Sequence, residues 1–109
     1  MARNRKKVLS DFIDSIPDSK LQGFPDSEKT LYFDQDLRLD MQCVTSRDQW
    51  NLQIQVNRRP KTTALRRMAG KTVAGPVLVP RTAPMTPEEI REAFRAPCIY
   101  LATPDFDEE

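Results

Sequence analysis

From Leu37 to Cys43 apolar and polar residues alternate without a fault, with Leu37, Leu39, Met41 and Cys43 on one side and Arg38, Asp40 and Gln42 on the other. After a polar interruption the alternation returns: Trp50, Leu52, Ile54 and Val56 against Asn51, Gln53, Gln55 and Asn57. A period of two marks a strand with one dry and one wet face. Thr45 to Asp48 suits a short loop built around a type I turn. The two runs are therefore predicted to be the arms of one hairpin, about 31–44 and 49–57. Pairing Val44 with Gln49 sets Cys43 opposite Trp50, Met41 opposite Leu52, Leu39 opposite Ile54 and Leu37 opposite Val56. A slip of one residue would set every apolar side chain against a polar one, so the register is strongly specified. Carried further, it brings Asp34 opposite Arg59 as a cross-strand charge pair. Leu31 and Phe33 extend the dry face backwards, and Gln35, the one break, is a place for a bulge.

Elsewhere the spacing is helical. Val8-Leu9, Phe12-Ile13 and Ile16 predict a short amphipathic helix, stopped by Pro17 and docked on the dry face of the hairpin. Pro17-Asp18-Ser19-Lys20 and Pro25-Asp26-Ser27-Glu28 read as turns. Thr62 or Thr63 can cap a brief helix through Ala64–Ala69, with Gly70 as its left-handed terminator. Val73 and Val77–Val79 offer a short strand that Pro76 and Pro80 confine to an edge, or abolish. Thr86-Pro87-Glu88-Glu89 is a capping box with proline at the first helical position. The helix it opens, about 87–95, turns Ile90, Ala93 and Phe94 inward and ends at Pro97. Cys98–Ala102 then reads as a buried strand; if it lay parallel to Val77–Val79, the helix would be a right-handed crossover. The expected architecture is α+β: a small, mainly antiparallel sheet built on the hairpin, with an N-terminal and a C-terminal helix packed on one face.

Length and charge refine this picture. At 109 residues the chain, 1–109, is expected to form one domain, with a basic N-terminal arm (1–7) and a disordered acidic C-terminal tail (103–109). No apolar run approaches the roughly 20 residues that span a bilayer, and the basic N-terminus lacks an apolar signal core. A cytoplasmic protein is the expectation, with nuclear entry the alternative that the basic clusters allow. Cys43 and Cys98 read as small buried hydrophobes rather than a disulfide. The net charge of +1 conceals a strong asymmetry: between Gln49 and Pro87 there is no acidic residue. That span carries Arg58, Arg59, Lys61, Arg66, Arg67 and Lys71, whereas the C-terminus leans acidic.

Candidate chemistry is sparse. The chain has no histidine, which removes Ser-His and Cys-His nucleophile pairs and most catalytic zinc sites. Gly70-Lys71-Thr72 resembles the end of a phosphate-binding loop, but the pattern needs a glycine where Leu65 stands. Asp34, Asp36 and Asp40 fall on the wet face of the hairpin as solvated charges. No catalytic, cofactor or metal site is expected. The leading expectation is a non-enzymatic interaction or accessory protein working through protein contacts, with self-association as a homodimer along an exposed hairpin edge as one route. The alternative is an RNA- or DNA-binding protein that uses Arg58, Arg59, Lys61, Arg66, Arg67 and Lys71 together with the N-terminal arm. Against single-strand recognition, the wet face offers only Tyr32 for stacking.

Overall fold

A computed structural model describes residues 5–24, 29–44, 48–80 and 86–98. They form an α+β fold in which four strands make one antiparallel sheet in chain order, β1 (Lys29–Phe33), β2 (Leu37–Val44), β3 (Gln49–Val56) and β4 (Thr72–Pro80). Helices α1 (Arg5–Asp14) and α2 (Pro87–Cys98) complete it.

The β2–β3 register is the one the alternation predicts, pair for pair from Leu37↔Val56 through Leu39↔Ile54, Met41↔Leu52 and Cys43↔Trp50 to Val44↔Gln49. Leu37, Leu39, Met41, Trp50, Leu52, Ile54 and Val56 are all at most 1% exposed. Each such side chain contributes roughly 1.5–3 kcal/mol by leaving water, and this one face of the hairpin supplies seven of the seventeen buried apolar residues among those described. Asp48 closes the connection with a positive φ of 53°, a conformation that aspartate tolerates.

The first arm differs from expectation. It does not run unbroken from 31 to 44. The chain reverses at Asp34–Asp36, and β1 folds back on β2 as a second hairpin. An Asx turn drives the reversal: the Asp34 Oδ1 accepts the Asp36 and Leu37 amides at 2.7 and 2.9 Å. Across this turn Tyr32 pairs with Leu39 and Phe33 with Arg38, so Phe33 lies on the outer face of the sheet, 66% exposed. The bulge falls at Leu31 rather than Gln35: the register shifts between Thr30 and Tyr32. Nor does Asp34 meet Arg59, because the ladder ends at Leu37–Val56 and the carboxylate of Asp34 is committed to its own turn.

Strand β4 occupies an edge, as its prolines require, and its register slips between Asn51 and Gln53. Leu52 there faces a stretch of β4 containing Pro76, a residue with no amide to give to the ladder. The central hairpin is thus covered on both sides, and the exposed hairpin edge expected as a route to self-association is filled by β1 and β4.

Helix α2 begins on the predicted capping box. Thr86 N–H donates to Glu89 Oε1 at 3.0 Å, and Glu89 N–H donates to Thr86 Oγ1 at 3.1 Å. It continues through the buried Pro97 to Cys98, so Cys98 is helical and not the start of a strand; residues 99–102 lie outside the described residues. Ile90 and Phe94 of α2 meet Leu9 and Ile13 of α1, all fully buried, above the dry face of the sheet. The two helices are also tied by charge. Arg95 pairs with Asp14 of α1 and with Glu88 and Glu92, while Arg91 pairs with Asp18 and gives a 2.6 Å hydrogen bond to the Ile16 carbonyl. The hydrogen bonds to these carboxylates hold both guanidinium groups firmly protonated. Arg5–Lys7, expected in a basic arm, form the first turn of α1; residues 1–4 and the acidic tail lie outside the described residues.

Candidate functional site

The segment after β3 is a closed loop. Gly70 N–H donates to the carbonyls of Val56 and Asn57 at 3.0 and 3.1 Å, and Val56 N–H donates to the Lys71 carbonyl at 2.9 Å. Asn57 to Gly70 therefore forms an Ω-shaped excursion whose ends are pinned together. Gly70 makes the closure possible, since its φ of +79° is one that a residue with a Cβ adopts only under strain. Within the loop, the brief helix expected through Ala64–Ala69 is a 3₁₀ helix, Thr63–Met68. Residues three apart eclipse one another in that geometry, so Leu65 and Met68 both drop into the core while Arg66 and Arg67 face water.

A single carboxylate fastens the loop to the sheet. Asp36, only 8% exposed, accepts the Lys61 amide, the Thr62 amide at 3.0 Å and the Thr62 hydroxyl at 2.9 Å. The Thr62 side chain thus serves Asp36 and makes no cap bond to its own helix. Burial by itself would push the Asp36 carboxyl up. The bonds from Thr62 and Lys61, with the Lys61 charge, outweigh burial and hold the carboxyl below its ordinary range. Asp36 is therefore not the solvated wet-face charge that the alternation suggested. The adjoining turn adds two more ties: Asn57 N–H to the Asp36 carbonyl and Asn57 Nδ2 to the Asp34 carbonyl, each at 2.9 Å.

All six cations named from the sequence lie on this loop or at its exit. Arg58, Arg59, Lys61, Arg66 and Arg67 are exposed and Lys71 is half-buried. Arg58, Arg59 and Arg66 form no ion pair with any described residue; Arg67 and Lys71 are engaged with other groups. The contrast with the helices is sharp, since Lys7, Arg91 and Arg95 are each matched to carboxylates. What sequence reasoning missed is the anchor. Asp36 precedes the loop by more than twenty residues, and its place in an alternating run disguised it as a surface residue.

Next to the loop, the outer face of the sheet is polar. The Arg38 guanidinium donates to Asp40 Oδ2 at 3.0 Å and to Gln55 Oε1 at 2.6 Å, and the Thr30 hydroxyl donates to Asp40 Oδ1 at 2.7 Å. Tyr32 is on the other face, where its hydroxyl donates to Asp34 Oδ2 at 2.7 Å; burial first, then this bond, pushes the phenol up to about 12. The Cys98 thiol is buried and donates to the Phe94 carbonyl oxygen at 3.8 Å. Among the described residues no three His, Cys, Asp or Glu side chains converge as a metal site would require. No described helix is long and apolar enough to cross a membrane. No family model, curated protein or solved structure matches the chain.

Proposed function

We propose that this chain is a non-enzymatic binding module and that its cationic loop engages the phosphate backbone of RNA or DNA. One observation carries the reading: Arg58, Arg59 and Arg66 stand exposed without ion pairs on a loop whose backbone is fixed at both ends and in its middle. Cations already placed lose little freedom on meeting a polyanion, and each phosphate they neutralise releases condensed counterions. Surface charge that served only to balance the protein would be paired internally, as it is at Lys7, Arg91 and Arg95.

The reading expected first from sequence, a module working through protein contacts, is less well supported at this loop. Protein interfaces draw most of their affinity from a few large apolar or aromatic anchors. The larger apolar side chains of the loop, Pro60, Leu65 and Met68, are buried, leaving charge, small polar groups and two half-buried alanines outside.

Binding of fluorescein-labelled RNA and DNA across a series of KCl concentrations tests the proposal. Wild-type affinity is expected to fall steeply with salt. In a double variant, Arg59→Glu with Arg66→Glu, the log–log slope on a single strand should flatten by about 1.4, about 0.7 for each lost phosphate contact. Absence of binding at low salt, or a variant that binds as wild type does, overturns the reading. Capture of a partner that survives nuclease digestion and is lost in the same variant would replace it with the protein-contact alternative.

A further inference from the structure

Reversal of the chain at Asp34–Asp36 has exchanged the aromatic ring on the outer face: Tyr32, expected there, turns to the dry side and Phe33 takes its place. Phe33 is the large hydrophobic side chain most at odds with its surroundings, 66% exposed on the outer face of β1. Its cross-strand neighbour is Arg38, and beyond that lies Gln55, opposite Arg38 on β3. Arg38 is no longer a flexible surface cation, because Asp40 and Gln55 fix its planar group on the same face. Further along this face Gln42, Asn51 and Gln53 carry amides that make no side-chain hydrogen bond with any described residue. The one acid among these outer-face positions, Asp40, is matched by Arg38 and Thr30.

Position joins these features to the cationic loop. The β1–β2 turn and the loop leave the same end of the sheet and are bonded to each other through Asp36 and Asn57. Phe33 stands three residues before Asp36, at that end. A ring for a base and unoccupied amides for base edges therefore share a face that no described helix covers, and unpaired cations for phosphates stand on the loop bonded to the same end of the sheet. Duplex nucleic acid cannot use the ring, since its bases are already stacked on one another.

We infer that the outer face is a single-strand nucleic-acid platform: an unstacked base rests on Phe33 while the flanking phosphates lie over Arg58, Arg59 and Arg66. The inference rests on the phosphate-binding reading of the loop and narrows it from nucleic acid in general to single strands. The dry-face register is untouched by it, because Phe33 packs into no core.

The test uses the full chain and three labelled probes: oligo(U) and oligo(dT) of about 12 nucleotides, a length within the span such sheets accommodate, and a duplex of equal length. Phe33→Ala should weaken single-strand binding about tenfold, the loss of one base–ring stack, and leave duplex binding unchanged. Phe33→Trp should restore it. Circular dichroism checks that both variants fold. If Phe33→Ala binds single strands as wild type does, or if the duplex binds more tightly than either single strand, the platform is wrong while the loop proposal stands. If the Arg59/Arg66 double variant leaves all three affinities unchanged, the loop proposal itself fails. A Phe33→Ala variant that instead abolishes dimer formation in sedimentation, or loses a nuclease-resistant protein partner, assigns the ring to a protein interface and overturns the inference.

Discussion

Replacing Asp36 by alanine should loosen the cationic loop more than any change to a cation on it. The carboxylate accepts two amides and a hydroxyl while 8% exposed. Removing it strands the Lys61 and Thr62 amides at a site where water has little access. Hydrogen bonds to a charged group contribute roughly 1.5–3 kcal/mol each, but three that share one acceptor do not add in full. A loss of about 3 kcal/mol is therefore expected for Asp36→Ala, and about 1 kcal/mol for Thr62→Ala, which removes one donor and leaves the amides served. Trp50, the one tryptophan in the chain and fully buried, reports unfolding in urea by fluorescence. With a slope of about 1–3 kcal/mol/M the midpoint for Asp36→Ala should fall by about 1–3 M. The effect has a pH signature. Because the folded carboxyl lies below its ordinary range, the stabilisation is present above the unfolded pKa and fades as pH falls through the folded one. Wild type and Asp36→Asn should accordingly converge in acid. A midpoint for Asp36→Ala within the error of wild type at neutral pH would refute the claim that this carboxylate fastens the loop.

Two other expectations concern the rest of the fold. Thr86→Ala removes one half of the capping box on α2 and should cost about 1 kcal/mol in the same urea assay, with Thr86→Ser close to wild type. Tyr32, pushed up to about 12, should ionise late in an ultraviolet titration. A raised phenol contributes stability in full below its unfolded pKa of about 10, and that contribution is lost as pH rises toward the folded value. Tyr32→Phe should flatten the decline in stability between those limits, and an unchanged decline would exclude Tyr32 as its source.

How far the fold could be read in advance depended on where the alternation was honest. On β2 and β3 each apolar residue is buried and each polar one is at least partly exposed wherever its side chain is described, so the register followed from the letters alone. Across Asp34–Asp36 the same rule misled. Leu31 and Phe33 keep the odd-numbered phase of Leu37 and Leu39, which suggests one continuous strand. The turn reverses that phase, carrying Tyr32 to the dry face and Phe33 to the outer one, and the bulge at Leu31 reverses it again. The signal that could have exposed the turn was Asp34, spaced to accept the amides two and three residues on. The cations of the candidate site were legible as a run free of acids. Their anchoring was not, because it depends on a contact between Asp36 and Thr62 that no local pattern encodes. Pro97 misled in the other direction: α2 runs past it to Cys98, so a proline near a helix terminus marks its end only to within a turn.

Strand order that follows chain order has a consequence for biosynthesis. Each strand finds its partner in the strand made just before it, so the sheet can assemble stepwise as the polypeptide leaves the ribosome, at small loop-closure cost. Helix α1 has no such luck: the side chains that shelter Leu9 and Ile13 sit on α2, some eighty positions downstream by the span of the Arg95–Asp14 contact. Helix α1 must wait for α2 before its greasy stripe is sheltered, and for that interval it is where a chaperone would find a hold.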